Sequence, residues 1–164
     1  MNIQRIARIL ENKNHLIINE VVLSTAQREG QIIHGSRSFN LQSPTYLKKK
    51  TTDYDILTQK PRKSAREVAR HLSRRTGKEF EVVKGLHKGT YRVKMNGEVV
   101  ADYSQLKRRP KTKKVWGTEV RSLKSIKRDT QRMIREKKTE FRREKDIDTL
   151  QRIKEIERME ERFN

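Results

Sequence analysis

Three short stretches of this 164-residue chain hold side chains whose types and spacing could do chemistry. In Asp53-Tyr54-Asp55 two carboxylates stand two positions apart. On a strand that spacing puts both on one face, with Tyr54 and Ile56 on the other. Like charges so placed repel and need a compensating cation, of which a divalent metal is the simplest. Asp102, between Ala101 and Tyr103, lies on the second strand of an expected hairpin. A strand running beside Asp53–Asp55 would bring this third carboxylate to the same place. Three hard oxygen donors suit Mg²⁺, with positions left open for substrate phosphates. Two such ions could activate a 3′-hydroxyl and stabilise a leaving pyrophosphate. Upstream, Gly35-Ser36 ends a short apolar strand and opens into an expected helix. Backbone N–H groups and a hydroxyl at such a corner suit a phosphate.

Positioning these residues requires the following elements. Ile3, Ile6, Ala7 and Leu10 recur at three and four, which predicts a short amphipathic helix ended by Asn12 to Asn14. Leu16 to Thr25 is apolar-rich and fits helix or strand equally. Ile32-Ile33 predicts a brief strand, residues 37–52 a helical turn and a loop, and Asp53 to Leu57 a second strand. Lys60-Pro61 breaks the chain, Ser64 is the expected cap, and Ala65, Val68, Ala69 and Leu72 form a buried helical stripe ended by Gly77. Phe80, Val82 and Val83 predict a strand, and Tyr91 to Met95 with Glu98 to Tyr103 flank Asn96-Gly97, a hairpin signal. Val120 to Ile134 and Phe141 to Ile156 predict two closing helices. The sum is an α+β (mixed α/β) chain: a small mixed sheet with flanking helices and a C-terminal helical pair.

Charge is unevenly spread. There are 41 Lys and Arg against 21 Asp and Glu, a formal net charge of +20. Residues 105–145 hold 17 basic and 5 acidic side chains, and residues 1–59 only 8 and 5. Such an excess favours a polyanionic partner, most simply nucleic acid or nucleotide phosphates. Its densest part, Lys107, Arg108, Arg109, Lys111, Lys113 and Lys114, is the expected nucleic-acid contact, against a solvated connector as the plainer reading. The chain has no cysteine, hence no disulfide or thiolate site. No apolar run approaches the length of a membrane span, and Met1 to Leu10 is too short and too interrupted by Arg5 and Arg8 for a signal peptide. Gly85 to Gly89 lacks the following Gly-Lys-Ser of a P-loop. His34 reads as packed, and Trp116 as an anchor for the C-terminal helices.

The order of these motifs resembles the DNA polymerase β-like nucleotidyltransferase superfamily, and within it the poly(A)-polymerase-like nucleotidyltransferases of large DNA viruses. The resemblance is carried by Gly35-Ser36-Arg37-Ser38-Phe39-Asn40, Pro44-Thr45-Tyr46-Leu47, Thr52-Asp53-Tyr54-Asp55-Ile56, His87-Lys88-Gly89-Thr90, Val100-Ala101-Asp102-Tyr103 and Phe141-Arg142-Arg143-Glu144-Lys145-Asp146. It implies a nucleotidyltransferase-type mixed sheet, with residues 1–104 as the core and 105–164 as a basic connector and C-terminal helices packing on or extending it. It implies Mg²⁺ (or Mn²⁺) held by Asp53, Asp55 and Asp102, the last also helping to deprotonate the attacking hydroxyl. It implies that Gly35 and Ser36, with Arg37 beside them, seat a triphosphate, and that Arg142 or Lys145 neutralises it. An ordinary salt-bridged helix face is the equal alternative for Arg142 and Lys145. The expected activity is transfer of an NMP from an NTP to a hydroxyl, a nucleic-acid 3′ end, with RNA favoured over DNA. The alternative is an inactive virus or phage structural or regulatory protein that keeps the fold and binds nucleic acid. Host cytoplasm or virion is the expected location, with no membrane, and the C-terminal helices are the expected surface for a protein partner or homo-oligomer.

Overall fold

The computed structural model of the chain describes residues 3–163, leaving out the side chains of residues 7, 9, 137 and 138. Met1, Asn2 and Asn164 lie outside it, as does the expected place of the Ala7 side chain on the first apolar stripe. The chain opens with one helix, α1 (Ile3–Glu29). This corrects the expected break at Asn12–Asn14 and decides the ambiguous segment after it. Asparagine costs a helix interior at most about 0.7 kcal/mol relative to Ala, and Asn12 is exposed, so nothing there forces a stop. The second half of α1 buries Ile18, Val21, Val22, Thr25 and Ala26, spaced at three and four.

Next come β1 (Ile32–His34), α2 (Gly35–Leu41), β2 (Tyr54–Thr58) and α3 (Pro61–Thr76). Ser64 is not the cap of α3. Pro61 takes the first helical position, where its missing N–H costs nothing. Ser64 lies one turn inside, buried, and accepts a hydrogen bond from Gln31 Nε2 at 3.0 Å. β3 (Glu81–Lys84) leads into the hairpin of β4 (Thr90–Met95) and β5 (Glu98–Gln105). Asn96 and Gly97 take φ of 52° and 79° at its turn, the conformation that this dipeptide accepts cheaply.

Two strands appear where a connector was expected. β6 (Thr112–Val115) and β7 (Thr118–Arg121) form a second hairpin. Only Val115 and Val120 among their residues are aliphatic, so no apolar run marked them. Trp116 turns this hairpin with φ 48° and is 88% exposed, so it does not anchor the C-terminal helices. Val120 belongs to β7, and the helix after it, α4 (Leu123–Arg135), is capped by Ser122, whose hydroxyl accepts from the N–H of Ser125. A 3₁₀ turn holding the exposed Phe141 precedes α5 (Arg143–Phe163).

The strands form one seven-stranded sheet in the order β3-β4-β5-β2-β1-β7-β6. The β2–β5 and β1–β7 pairs are parallel. On one face, α1 and α3 close a core with Ile33, Ile56, Tyr103 and Val120. On the other, α2 and α5 meet at Phe39, Ile153 and Ile156, with Leu123 and Ile126 of α4 packed against them. The C-terminal helices therefore pack on their own chain.

Tyr103 is fully buried, and its hydroxyl has no hydrogen-bond partner among the described residues. Deleting it removes a desolvated polar group without changing the shape of the core. Tyr103→Phe is expected to raise stability by about 1 kcal/mol, whereas Leu72→Ala, which opens a cavity in the same core, costs about 2–5 kcal/mol. Denaturant unfolding of the two variants checks both signs.

Candidate active site

Strand register lines up one row of side chains on the second face of the sheet. His34 on β1 pairs with Asp55 on β2, Asp55 with Asp102 on β5, and Asp102 with Arg92 on β4. Directly opposed residues share a face. Beyond His34, β7 ends at Arg121, whose charge acts on the imidazole. The row thus runs cation, imidazole, carboxylate, carboxylate, cation. Asp53 stands just ahead of β2, two residues from Asp55, and its charge acts on both other acids.

Burial is the largest influence on Asp55, Asp102 and His34. It pushes the Asp55 carboxyl up to about 6, with Asp53 and Asp102 adding to the rise and Lys145 and Arg92 opposing it. Asp102 is also raised by burial, against a fork from Arg92. Arg92 Nε donates to Oδ1 at 3.0 Å and Nη2 to Oδ2 at 3.1 Å. His34 is pushed down to about 4 by burial and then by Arg121, so its ring is neutral at pH 7. Its Nε2 is buried with no partner among the described residues. Among those residues no three Asp, Glu or His side chains converge closely enough to hold a metal ion as they stand. Both oxygens of Asp102 accept from Arg92.

Asp55 also walls a cleft of about 130 Å³ with Gly35, Ser36, Lys49, Arg121 and Lys145. Ligand pockets commonly measure about 300–1,000 Å³, so this one suits the phosphate end of a nucleotide rather than the whole. Its charge is three cations to one acid. Lys49 donates to Thr149 Oγ1, and its ammonium lies 5.4 Å from the centre of the Phe39 ring. Burial holds its pKa below the usual lysine range. Arg121 is steadied by Ser125 Oγ at 3.0 Å and by an ion pair with Asp129. Gly35 is required here. It takes φ of 64°, and a Cβ on it would lie 2.2 Å from Asp55 Oδ2.

The residues singled out by sequence fall in several places. Asp55, Gly35, Ser36 and Lys145 line the cleft. Arg37 turns away from it, donating to the carbonyl of Asp53 at 3.1 Å and lying over the Tyr54 ring at 4.4 Å. Arg142 is engaged by the buried Asp146 four residues on, at 3.0 Å. Lys107, Arg108 and Arg109 are exposed beyond β5, and Arg109 pairs with Glu119. Lys113 and Lys114 are exposed on β6, an edge strand, and Lys111 just precedes it. Sequence reasoning missed Lys49, Arg92 and Arg121 as site residues. Lys49 stands in a triple lysine, and the two arginines carry no motif; only strand pairing shows them.

No protein-family model matches the sequence, and no curated protein matches it. Among solved structures, the fold is similar to the Megavirus polyadenylate synthase, with a TM-score of 0.74 and 16% identity over 87% of this chain. The chain spans 31% of that protein's length. A nucleotidyltransferase-like antigenic protein from Paracoccidioides brasiliensis aligns over 84% of this chain and 75% of its own, with a TM-score of 0.47 and 15% identity. The mixed sheet and its flanking helices are of nucleotidyltransferase type.

Two measurements probe the crowding at Asp55. Gly35→Ala is expected to cost about 1–3 kcal/mol through the positive φ alone, and more through its collision with Asp55. The Asp55 carboxyl binds its proton more tightly folded than unfolded. Its ionisation therefore lowers stability as pH rises from about 4 to about 6, by about 3 kcal/mol at 1.36 kcal/mol per unit. His34 acts in the opposite sense, because its lowered pKa destabilises the fold as pH falls from 6.5 toward about 4. The two partly cancel in the whole protein. The stability of Asp55→Asn minus that of the unaltered chain, measured in EDTA, is expected to climb between pH 4 and 6 and level off above.

Proposed function

We propose that this chain transfers a nucleoside monophosphate from an NTP to a hydroxyl, the 3′ end of a nucleic acid, with RNA favoured over DNA. One observation carries the reading. Asp55 stands in register with Asp102 and two residues from Asp53, and it also walls a cleft lined by three cations. Acids and phosphate-binding groups thus meet at a single side chain.

In this transfer a bond forms between the acceptor oxygen and the α-phosphorus. The bond from that phosphorus to its bridging oxygen breaks, and pyrophosphate leaves with the electron pair. Lys49, Arg121 and Lys145 offset the charge of the phosphates and of the leaving group, with Gly35 and Ser36 forming the adjoining wall. Arg142, held by Asp146, braces the start of α5, which presents Lys145. Asp102 is the candidate acceptor of the hydroxyl proton, since burial raises its proton affinity. Arg92 holds it and limits that rise. The chemistry of these acids suits a hard divalent cation, because Asp53 and Asp102 raise the proton affinity of Asp55 and call for positive charge there, although the three do not converge on one ion as they stand. Asp53 and Asp55, with Asp102, would hold Mg²⁺ or Mn²⁺, which when bound polarises the reacting phosphate and hydroxyl. The exposed Lys107, Arg108, Arg109, Lys111, Lys113 and Lys114 would meet the nucleic acid.

The Arg92 fork favours a second reading. An arginine on both oxygens of Asp102 suits a chain that keeps the fold without turnover, as a virion or regulatory protein that binds nucleic acid.

Incubation with labelled NTPs, Mg²⁺ or Mn²⁺ and RNA or DNA primers separates the two. Primer extension is expected, falling by about 10²–10⁴-fold in Asp102→Asn, the range for a lost general base. Mn²⁺ binding, read by paramagnetic resonance, is expected to be lost in Asp55→Asn. Absence of incorporation, with nucleotide binding unchanged in Asp55→Asn, would overturn transfer and leave the second reading.

A further inference from the structure

The opposite side of the sheet carries a second concentration of cations that the acid row does not use. Arg62, Arg66, Arg70 and Arg74 recur every four residues along α3 and are exposed. At 1.5 Å per residue they span about 18 Å. Among the described residues none of the four makes an ion pair or a side-chain hydrogen bond. That contrasts with Arg75 on the same helix, which pairs with Glu20 at 3.0 Å, and with Arg92, Arg121 and Arg142, each held by an acid.

These arginines border two adjoining hollows of about 650 and 690 Å³ between α3 and the outer strands. Arg66 and Arg70 line both. Lys60 and Lys63 extend the first, and its sole acid, Glu67, is 4.0 Å from Lys63. The groove also presents aromatic surface. Tyr91 lies half-buried on its floor, and Phe80 lines the second hollow. A row of unpaired cations beside the half-buried Tyr91 ring matches a chain with phosphates on one edge and unpaired bases on the other. A duplex offers phosphates but keeps its bases stacked inside.

We propose that the groove between α3 and the β3–β4 edge binds single-stranded nucleic acid, with Arg62, Arg66, Arg70 and Arg74 on its phosphates and Tyr91 against a base. The loop at Gly85–Gly89 connects this groove to the acid row. Gly89 lines the first hollow, and the charge of His87 reaches Asp102 on the other face. A strand in the groove therefore has a route past the sheet edge toward the acids. Binding is measured without NTP or metal, so it stands apart from the transfer reading.

The experiment titrates the full chain into a fluorescein-labelled 15-mer of uridine and into an RNA duplex of equal length, across a salt series. Arg66→Gln/Arg70→Gln is compared with Lys124→Gln/Arg128→Gln, which removes the same charge from α4 on the other face of the sheet. All four positions are exposed, and glutamine is a good helix former, so unfolding melts of the α3 variant should match those of the unaltered chain. The α3 pair is expected to weaken 15-mer binding at least tenfold. It should also shallow the slope of log affinity against log salt by about 1.4, or 0.7 for each lost phosphate contact. The α4 pair should change affinity less than threefold. Tyr91→Leu should weaken binding with the slope unchanged. Equal losses from the two pairs would overturn the proposal, as would a duplex bound as tightly as the single strand. Polyglutamate bound as tightly as the 15-mer would overturn it in favour of an acidic protein partner.

Discussion

The centre of the sheet has to hold negative charge, and much of the structure is arranged around that cost. Asp55 and Asp102 face each other across the parallel β2–β5 pair, and Asp53 adds a third field from the strand entrance. Ionised carboxylates gathered in a partly buried place are unfavourable unless cations or protons compensate. Here the compensation comes from several elements at once. Arg92 of β4 forks Asp102, and Lys145 of α5 acts on Asp55 across the cleft. Gly35 matters because it is absent as a side chain: any Cβ there would occupy the place of the Asp55 carboxylate.

This arrangement joins distant parts of the chain. The cleft takes Gly35 and Asp55 from the N-terminal half, and Arg121, Lys145 and Thr149 from the C-terminal part. The parallel pairing of β7 with β1 makes this contact, since it lays Arg121 beside His34 and sends α4 back over the second face. The segment after Ser104 is thus structural as well as basic. Its β6 edge bears exposed lysines, which also discourages pairing with a further strand. The two faces of the sheet divide the work. Apolar residues under α1 and α3 stabilise the fold, while the second face accepts the electrostatic cost of the polar row. The outer surface of α3 stays free because its inner stripe, Ala65, Val68, Ala69 and Leu72, already meets the core.

Sequence periodicity reached the elements whose residues alternate cleanly between faces. The α3 stripe, the Asn96-Gly97 turn and the strand at Asp53–Leu57 were all legible, because each depends on neighbours within a few positions. It failed where local signals were weak or misleading. Asn12 to Asn14 looked like a stop but sits in a helix long enough to absorb two modest penalties. The β6–β7 hairpin has lysines where a strand reader looks for valines. Ser64 looked like a cap, yet Pro61 starts the helix and Ser64 serves a buried hydrogen bond from Gln31.

The amino-acid sequence by itself determined the chemical types available: the acids at Asp53, Asp55 and Asp102, the Gly35-Ser36 corner and a large basic excess. It also determined the local elements that carry them. What each acid faces was decided only in three dimensions. A regular two-residue turn at Asn96-Gly97 would set Asp102 opposite Tyr91. The irregularity between Val93 and Lys94 slips the register by one, so Asp102 meets Arg92 instead. A one-residue slip changes which side chain shares a face with the acid, and with it the charge balance of the site. The chain's local preferences do not encode that slip, nor the pairing of β7 with β1. Both arise when sheet and helices bury their apolar faces together.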